Sequence, residues 1–526
     1  MSKGIWTQKI GFSYAATLAA TRFQLFGDTM NTASRMESTG QRGKIQISQE
    51  TADLLIAAGR MSWITPREER VVAKGKGEMQ TYWVNIGTTI DISAFQDGSL
   101  DGSLSETDGP FAALSPKTTR LVLWNVEILL DLLRQIQVLR GENAPPLQET
   151  VIRSKESTKI AYDEVEDVIN FPPYRGQQAE IETEDVELVP EVEQQLEDFL
   201  STIASMYIEN HFHDFAHASH ATMGVVKLLS SLVEGKPEEG PAVHNASYLI
   251  ASNPLVQFAI VLSVICHDVD HPGVPNSILL NEKSRMASVY GFKSVAEQNS
   301  LDLAVRKTCF LSSSNGHDNS PYICAFQWDL LMDDSYAELR AAIYRTEEEK
   351  KLFRQILVNC VIATDLFDKQ LRDRFESRWK VGFPKVDDKG QIASRNLQAT
   401  LVVETMIQAA DVAHTMQHWQ VYRKWNLRLF EEAYQAFADG RSTIDPSEGW
   451  FEGELAFFDD LVLPLVRRLQ QSGAFVAAST DSHLDYAVQN RAQWQEKGKN
   501  ILTEMIDATR SKTVARSQEG PLGLGT

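Results

Sequence analysis

The chain has 526 residues, 43% hydrophobic and 23% charged, which suits a globular protein of two or more domains with ample material for a core. Its 51 basic and 71 acidic residues leave a formal charge of −20, which argues against a nucleic-acid or anionic-membrane surface. Four cysteines without CxxC spacing, no signal-peptide order, and no apolar run near the roughly 20 residues of a membrane span together predict a soluble, cytoplasmic chain.

Residues 1–21 show no clear period and stay unassigned. Beyond them, Asn31 and Arg35 stand four apart on a predicted helix, and Lys44–Ser48 alternates as a strand after a Thr39-Gly40 turn. Ser48 is a candidate N-cap for a helix over Gln49–Ala58 that Gly59 ends, and Lys74-Gly-Lys-Gly77 leads into a strand over Gln80–Val84. The stretches RFQLFGDTMNTASRMES (Arg22–Ser38), GKIQIS and KGKGEMQTYWV resemble the C-terminal part of a class III nucleotidyl cyclase, closer to guanylate than to adenylate cyclases. The resemblance covers residues 22–87 and implies a small, incomplete α/β fragment of ferredoxin-like type. It implies that Asn31 and Arg35 match the residues that orient the ribose and stabilise the transition-state phosphate. Lys74 matches the lysine that contacts the triphosphate. The half of that family's domain with the two metal-binding aspartates does not occur in this sequence. Phosphoryl transfer needs divalent metals, so the fragment is expected to cyclise nothing. The resemblance also leaves open that the chain is the cytosolic part of a longer, membrane-bound, receptor-like protein.

Residues 88–185 read as a linker that carries one helix. Gly, Ser, Thr and Asp dominate residues 86–116, and Lys117–Arg140 is a helix opened by Ser115-Pro116 and stopped by Gly141. Val122, Val126, Leu129, Leu133 and Ile136 form a heptad seam, which either docks on a domain or pairs two copies of the chain. The acidic run after residue 141 reads as a solvated, partly disordered connector. Helical spacing then dominates, with sparse Gly and Pro and no sustained alternation, so residues 186–510 are predicted to form an all-α domain. A polar loop, Leu311–Ser320, interrupts it, and residues 511–526 are expected to be a disordered tail.

The chemistry gathers in the helical domain. Seven of the eleven histidines lie between His211 and His271. The apolar run Leu255–Cys266 ends in His267-Asp268-Val269-Asp270-His271, and burying two carboxylates and two imidazoles unpaired costs several kcal/mol. A metal ion removes that cost, since His and Asp are ordinary ligands. His213 and His217, four apart, face one side of a helix or its first turn, so one can hold a metal while the other carries a proton. Asp411 is a lone carboxylate among small and apolar neighbours, predicted in mid-helix.

The order His217, His267-Asp268, Asp411 resembles the ligand set of the HD metallohydrolase superfamily. HDVDHPGVPNSIL (His267–Leu279), SVYGFKSVAEQ (Ser288–Gln298), ATDLF (Ala363–Phe367), the stretch Asp411–Glu432 and GELAFFDDLVLPL (Gly453–Leu465) narrow the resemblance to the class I 3′,5′-cyclic nucleotide phosphodiesterases. Five motifs occur in that family's order over about residues 190–475. The resemblance implies metal-dependent hydrolysis of cAMP or cGMP to the 5′-monophosphate, with a metal-bridged hydroxide as nucleophile and His213 as general acid. It implies two divalent metals: a zinc-like ion on His217, His267, Asp268 and Asp411, and Mg²⁺ or Mn²⁺ reached through Asp268. Asp270, His271, Glu297 and Thr364 match supporting positions, and Glu454, Phe457, Tyr422, Trp425 and His414 match the substrate pocket. Four departures stand out. Asp214 replaces the family's usual Asn and Ala216 a common Arg, Asn299-Ser300 replaces a pair of histidines, and Glu454 replaces the base-binding Gln. An ionised Glu only accepts hydrogen bonds, whereas a Gln amide can turn to suit either purine. Two other readings remain: another HD-type nucleotide phosphohydrolase, and a non-catalytic module that senses nucleotide.

Overall fold

The computed structural model describes residue 39 and residues 45–57, 64–67, 70–73, 77–84, 114–141, 161–172, 186–232, 244–305, 329–384 and 394–519. The chain divides into two compact units, Met1–Asp108 and Gly109–Thr526.

In the first unit, β1 (Ile45–Ser48) runs straight into α1 (Gln49–Ala57), and the Ser48 hydroxyl accepts from the Thr51 amide at 3.4 Å as an N-cap does. A three-stranded antiparallel sheet has the order β1, β5 (Thr81–Val84), β2 (Ile64–Pro66), while β3 (Val71–Ala73) pairs with β4 (Gly77–Met79). Asn31, Arg35 and Lys74 lie outside the described residues.

The second unit is helical. Its helices are α2 (Pro116–Arg140), α3 (Pro190–Ser205), α4 (Phe215–Ser230), α5 (His244–Ala251), α6 (Pro254–Cys266), α7 (Asn276–Asn281), α8 (Arg285–Val289) and α9 (Val295–Val305). There follow α10 (Asp329–Met332), α11 (Ala337–Ile343), α12 (Glu347–Ile362), α13 (Lys369–Gly382), α14 (Arg395–Asp411), α15 (Trp419–Ala438), α16 (Trp450–Phe457), α17 (Leu463–Gln471) and α18 (Ala477–Glu519). The mainly α fold expected from the sequence is what the chain adopts.

Helix α6 is apolar on every side, so it lies at the centre, packed by α12, α4 and α2. Asn253 caps it by accepting from the amides of Leu255 and Val256, and Pro254 occupies the first turn, where no amide is needed.

Three expectations change here. The seam of α2 is buried against α6 and α3 of the same chain, with Val122, Val126, Leu129, Leu133 and Ile136 each at most 6% exposed. Of the two readings of the seam, docking on the chain's own domain is the one these contacts show. Asn125 on the same face donates to Ser219 of α4 at 3.1 Å, and the Arg140 guanidinium donates to the carbonyls of Ala342 and Ile343 that end α11. Second, part of the acidic connector is not solvated: Tyr162, Ile169 and Phe171 are buried. Third, the tail is helical to Glu519, with no Gly or Pro between Ser511 and Gly520 to end the helix earlier. The Leu311–Ser320 loop lies outside the described residues.

Candidate active site

Three helix ends converge at one point. Asp214 is the N-cap of α4, accepting from the His217 amide at 2.9 Å, and this fixes His217 in the first turn and leaves His213 just before the helix. The turn His267–Asp268 leaves the C-terminus of α6, and Asp411 is the last residue of α14, not a mid-helix residue. The one-turn difference matters, because a carboxylate at a helix C-terminus meets the negative end of the helix dipole and calls for a cation.

His217 Nε2 lies 3.0 Å from Asp411 Oδ1 and 3.6 Å from Asp268 Oδ2. His267 Nε2 lies 3.0 Å from Asp268 Oδ2 and 3.4 Å from Asp411 Oδ1. One ligand atom from each of the four falls within 4.8 Å of the others. His267 Nδ1 donates to the Val264 carbonyl at 2.8 Å, so in the neutral ring the Nε2 lone pair faces two carboxylates. Buried His267 Nε2 and Asp268 Oδ2 have no hydrogen-bond partner. With neutral rings such an arrangement is repulsive, so either protons on the imidazoles or a cation must sit between the groups, and two imidazoles with two carboxylates are a donor set that fits a divalent metal. Burial alone would raise the Asp268 and Asp411 carboxyls. For Asp268 the imidazoles of His267 and His213, and for Asp411 those of His217 and His267, hold them well below the ordinary range instead.

His213 stands beside this cluster, its ring 5.9 Å from that of His217 and 3.8 Å from that of His271. Its Nδ1 meets Glu432 Oε1 of α15 at 2.5 Å, while Glu432 Oε2 accepts from the amides of Phe212 and His213 at 2.7 and 3.0 Å. Burial opposes the charged imidazole, but the Glu432, Asp268 and Asp411 carboxylates outweigh it and lift His213 to about 9. Glu432 falls to about 2 despite burial, chiefly through His213. Burial and the His213 charge push His271 down to about 3, so it stays neutral with Nδ1 accepting from the Gly273 amide. Gly273 has φ of 69°, and a Cβ there would meet Asn210 Oδ1 at 3.2 Å. That Asn210 donates to the carbonyls of His213 and His271, so the glycine lets the loops that carry these two histidines touch. Asp270 is also left-handed, with φ of 58°, and its carboxylate accepts from Asn299.

A second carboxylate pair lies on α9 and after α12. Asn276 Nδ2 donates to Glu297 Oε2 at 2.9 Å and to Asp365 Oδ2 at 3.2 Å, and Ser294 Oγ donates to the same Asp365 oxygen at 2.9 Å. Burial and the Asp365 charge raise Glu297 to about 8. The Thr364 hydroxyl donates to the Val361 carbonyl at the end of α12.

Glu454 of α16 is half-buried and accepts from the Tyr422 hydroxyl at 2.7 Å, and burial lifts it to about 7. Phe457, at the end of α16, precedes a π-helical turn, Phe458–Val462. Tyr422 and Trp425 are themselves buried, so they support Glu454 and the histidines from beneath. Trp425 meets His217 and Phe212 with ring centroids 5.5 and 5.6 Å apart. His414 is buried edge-on to Phe212, and burial pushes it down to about 3. Arg428 pairs with Asp214 at 2.6 Å and lies over Trp425, a compensation for the Asp that replaces the usual Asn. The sequence did not single out Glu432, Asp365 or Arg428 as site residues; spacings of 219, 89 and 214 residues to their partners carry no local signal.

The family described as 3′5′-cyclic nucleotide phosphodiesterase matches residues 212–319 and 323–476, and that described as adenylate and guanylate cyclase catalytic domain matches residues 11–86. The chain is 24% identical over 330 residues to a probable 3′,5′-cyclic-AMP phosphodiesterase of Caenorhabditis elegans, covering 60% of this chain and 41% of that one. It is 23% identical over 319 residues to a cGMP-specific phosphodiesterase of Dictyostelium discoideum, covering 58% and 56%. It thus spans about half the length of these relatives. The phosphodiesterase domain of a Salpingoeca rosetta rhodopsin phosphodiesterase aligns with a TM-score of 0.44 and 19% identity over 61% of this chain and 87% of that one.

Proposed function

The chain belongs, through residues 212–319 and 323–476, to the 3′,5′-cyclic nucleotide phosphodiesterase family, and from that premise we propose that it hydrolyses 3′,5′-cyclic nucleotides to 5′-nucleoside monophosphates. The reading rests on the convergence of His217, His267, Asp268 and Asp411 within 4.8 Å, beside a histidine held by a carboxylate. Those four residues would hold the first ion, with zinc suited to two imidazoles and two carboxylates. Asp268 would also be shared with a second ion, for which Mg²⁺ or Mn²⁺ is suited. Divalent cations bound there lower the pKa of water they hold and offset charge on the phosphoryl oxygens.

The chain's own groups do the rest. His213 gives its Nδ1 proton to a hydrogen bond with ionised Glu432, which leaves Nε2–H as the proton for the departing O3′. Asp270, His271, Glu297 and Thr364 would orient the ligands and the surroundings of a second ion. Phe457 stacks on the base and Glu454 reads its edge, while Tyr422, Trp425 and His414 back them. Ionised Glu454 accepts from adenine's amine or guanine N1–H, and protonated Glu454 donates to guanine O6. With Glu454 at about 7, both forms are present near neutral pH, so neither purine is refused outright.

The test is the purified chain with Mg²⁺ or Mn²⁺, given cyclic AMP, cyclic GMP and linear nucleotides. Turnover of a cyclic nucleotide to the 5′-monophosphate, abolished in Asp411→Ala, is the expected result. Turnover of linear nucleotides alone would point to a different phosphohydrolase, and binding without turnover to a sensing module. We assign the cyclase-like segment of this chain no reaction of its own, and incubation with GTP and Mn²⁺ should yield no cyclic product. No helix among the described residues is long and apolar enough to cross a membrane.

A further inference from the structure

The segment of acidic connector at residues 161–171 is a strap across the helical unit, and its bonds are not those of a passive linker. The amide and carbonyl of Glu166 are both taken by the buried Asn359 side chain of α12, at 3.1 and 2.8 Å. The Ile169 amide donates to Thr400 of α14 at 2.9 Å. Glu164 makes a two-pronged pair with Arg354, and Asp167 pairs with Arg374. The negative run thus meets arginines of α12 and α13 and is held along its length.

The leading end of the strap points at the second carboxylate pair. The Tyr162 amide donates to Gln298 Oε1 at 3.2 Å, and Lys293 Nζ lies 4.5 Å from the centre of the Tyr162 ring. Gln298 is fully buried and follows Glu297 directly on α9; its Nε2 donates to the carbonyls of Tyr290 and Lys293 at 3.2 and 2.6 Å. Those carbonyls belong to a turn with positive φ at Gly291, Phe292 and Ser294. Ser294, in turn, donates to Asp365, and Asn276 joins Asp365 to Glu297. An unfavourable backbone turn persists only where its surroundings over-determine it, and Tyr162 with Gln298 supplies that restraint.

We propose that the strap at residues 161–171 is a positioning element for Glu297 and Asp365, with Tyr162 as the positioning residue, so that the state of the connector sets affinity at the second metal position. The proposal rests on the metal-hydrolase reading above. Because the strap lies on the chain's path from the cyclase-like segment to the catalytic helices, it is also where an upstream event would reach the site.

The experiment uses the full chain with Tyr162→Ala, Tyr162→Phe and the double variant Glu164→Gln/Asp167→Asn, none of which touches a metal ligand. Mn²⁺ binding is measured by calorimetry on protein already loaded with zinc, and hydrogen exchange is followed over residues 290–298. Tyr162→Ala and the double variant should weaken Mn²⁺ binding by about tenfold, the scale of lost outer-shell support, and speed exchange in the turn. Tyr162→Phe should leave both unchanged, because it keeps the ring against Lys293; the backbone amide bond to Gln298 is common to all the variants, so the ring is what this comparison tests. Unchanged Mn²⁺ binding and exchange in the two loosening variants, or equal loss in Tyr162→Phe, would overturn the proposal. Both readouts are independent of turnover, so a chain that hydrolyses no cyclic nucleotide would sink the parent reading while leaving this one measurable.

Discussion

In the mechanism we propose, His213 and Glu432 form the pair on which proton delivery turns. With His213 raised to about 9 and Glu432 lowered to about 2, the charged pair persists across neutral pH. For the raised histidine, the contribution to stability is full below its unfolded value of about 6.5 and is lost as pH climbs through about 9. For the lowered glutamate, it is present above about 4.5 and lost as pH falls through about 2. A bound cation nearby can only lower His213, so the alkaline limb of the pH–kcat/KM profile should lie at or below pH 9. Glu432→Gln removes the carboxylate that holds the proton. It should move that limb toward lower pH and reduce kcat by about 10²-fold. An unmoved limb in this variant would show that another group carries the proton.

At the scale of elements, α2 shows how one pattern serves two different ends. Its heptad seam is compatible with a partner helix or with a docking groove, and the residues of the seam do not differ between the two. What decides is the apolar face of α6 and α3 that the helix covers, formed by residues far along the chain. Leu129 is fully buried in that contact, so Leu129→Ala should cost about 2–5 kcal/mol. Denaturant unfolding should show a lower midpoint with little change in slope. A loss below about 0.5 kcal/mol, the range of ordinary surface substitutions, would show that α2 is not part of the folded core.

At the scale of the whole molecule, two imidazoles and two carboxylates meet where α6 and α14 both present their negative ends. Without a cation such a site strains the fold, and with one it ties three helices together. A divalent ion at about 100 times its Kd should therefore stabilise the chain by about 2.7 kcal/mol. Thermal unfolding with zinc against excess chelator reads this directly. Asp411→Ala should remove the difference; a difference that survives that change would place the stabilising ion elsewhere.

The local signals of the sequence were enough for the helices, their caps and the site's nucleus. Ser115, Pro116 and Gly141 bound α2 where their chemistry demands, and Ser48 caps α1. His267 and Asp268 were legible because polar groups that end an apolar run must be satisfied by something, and His213, His217 and Asp411 joined them through the resemblance of their order to the HD ligand set. The sequence could not decide that Asp411 ends its helix, that the acidic connector is strapped down, or that the tail stays helical to Glu519. It also could not reveal Glu432 behind His213, Arg428 on Asp214, or Asp365 beside Glu297. Short-range pattern reports which groups need partners. Which partner each one finds, across some ninety to two hundred residues, is settled only when the helices pack.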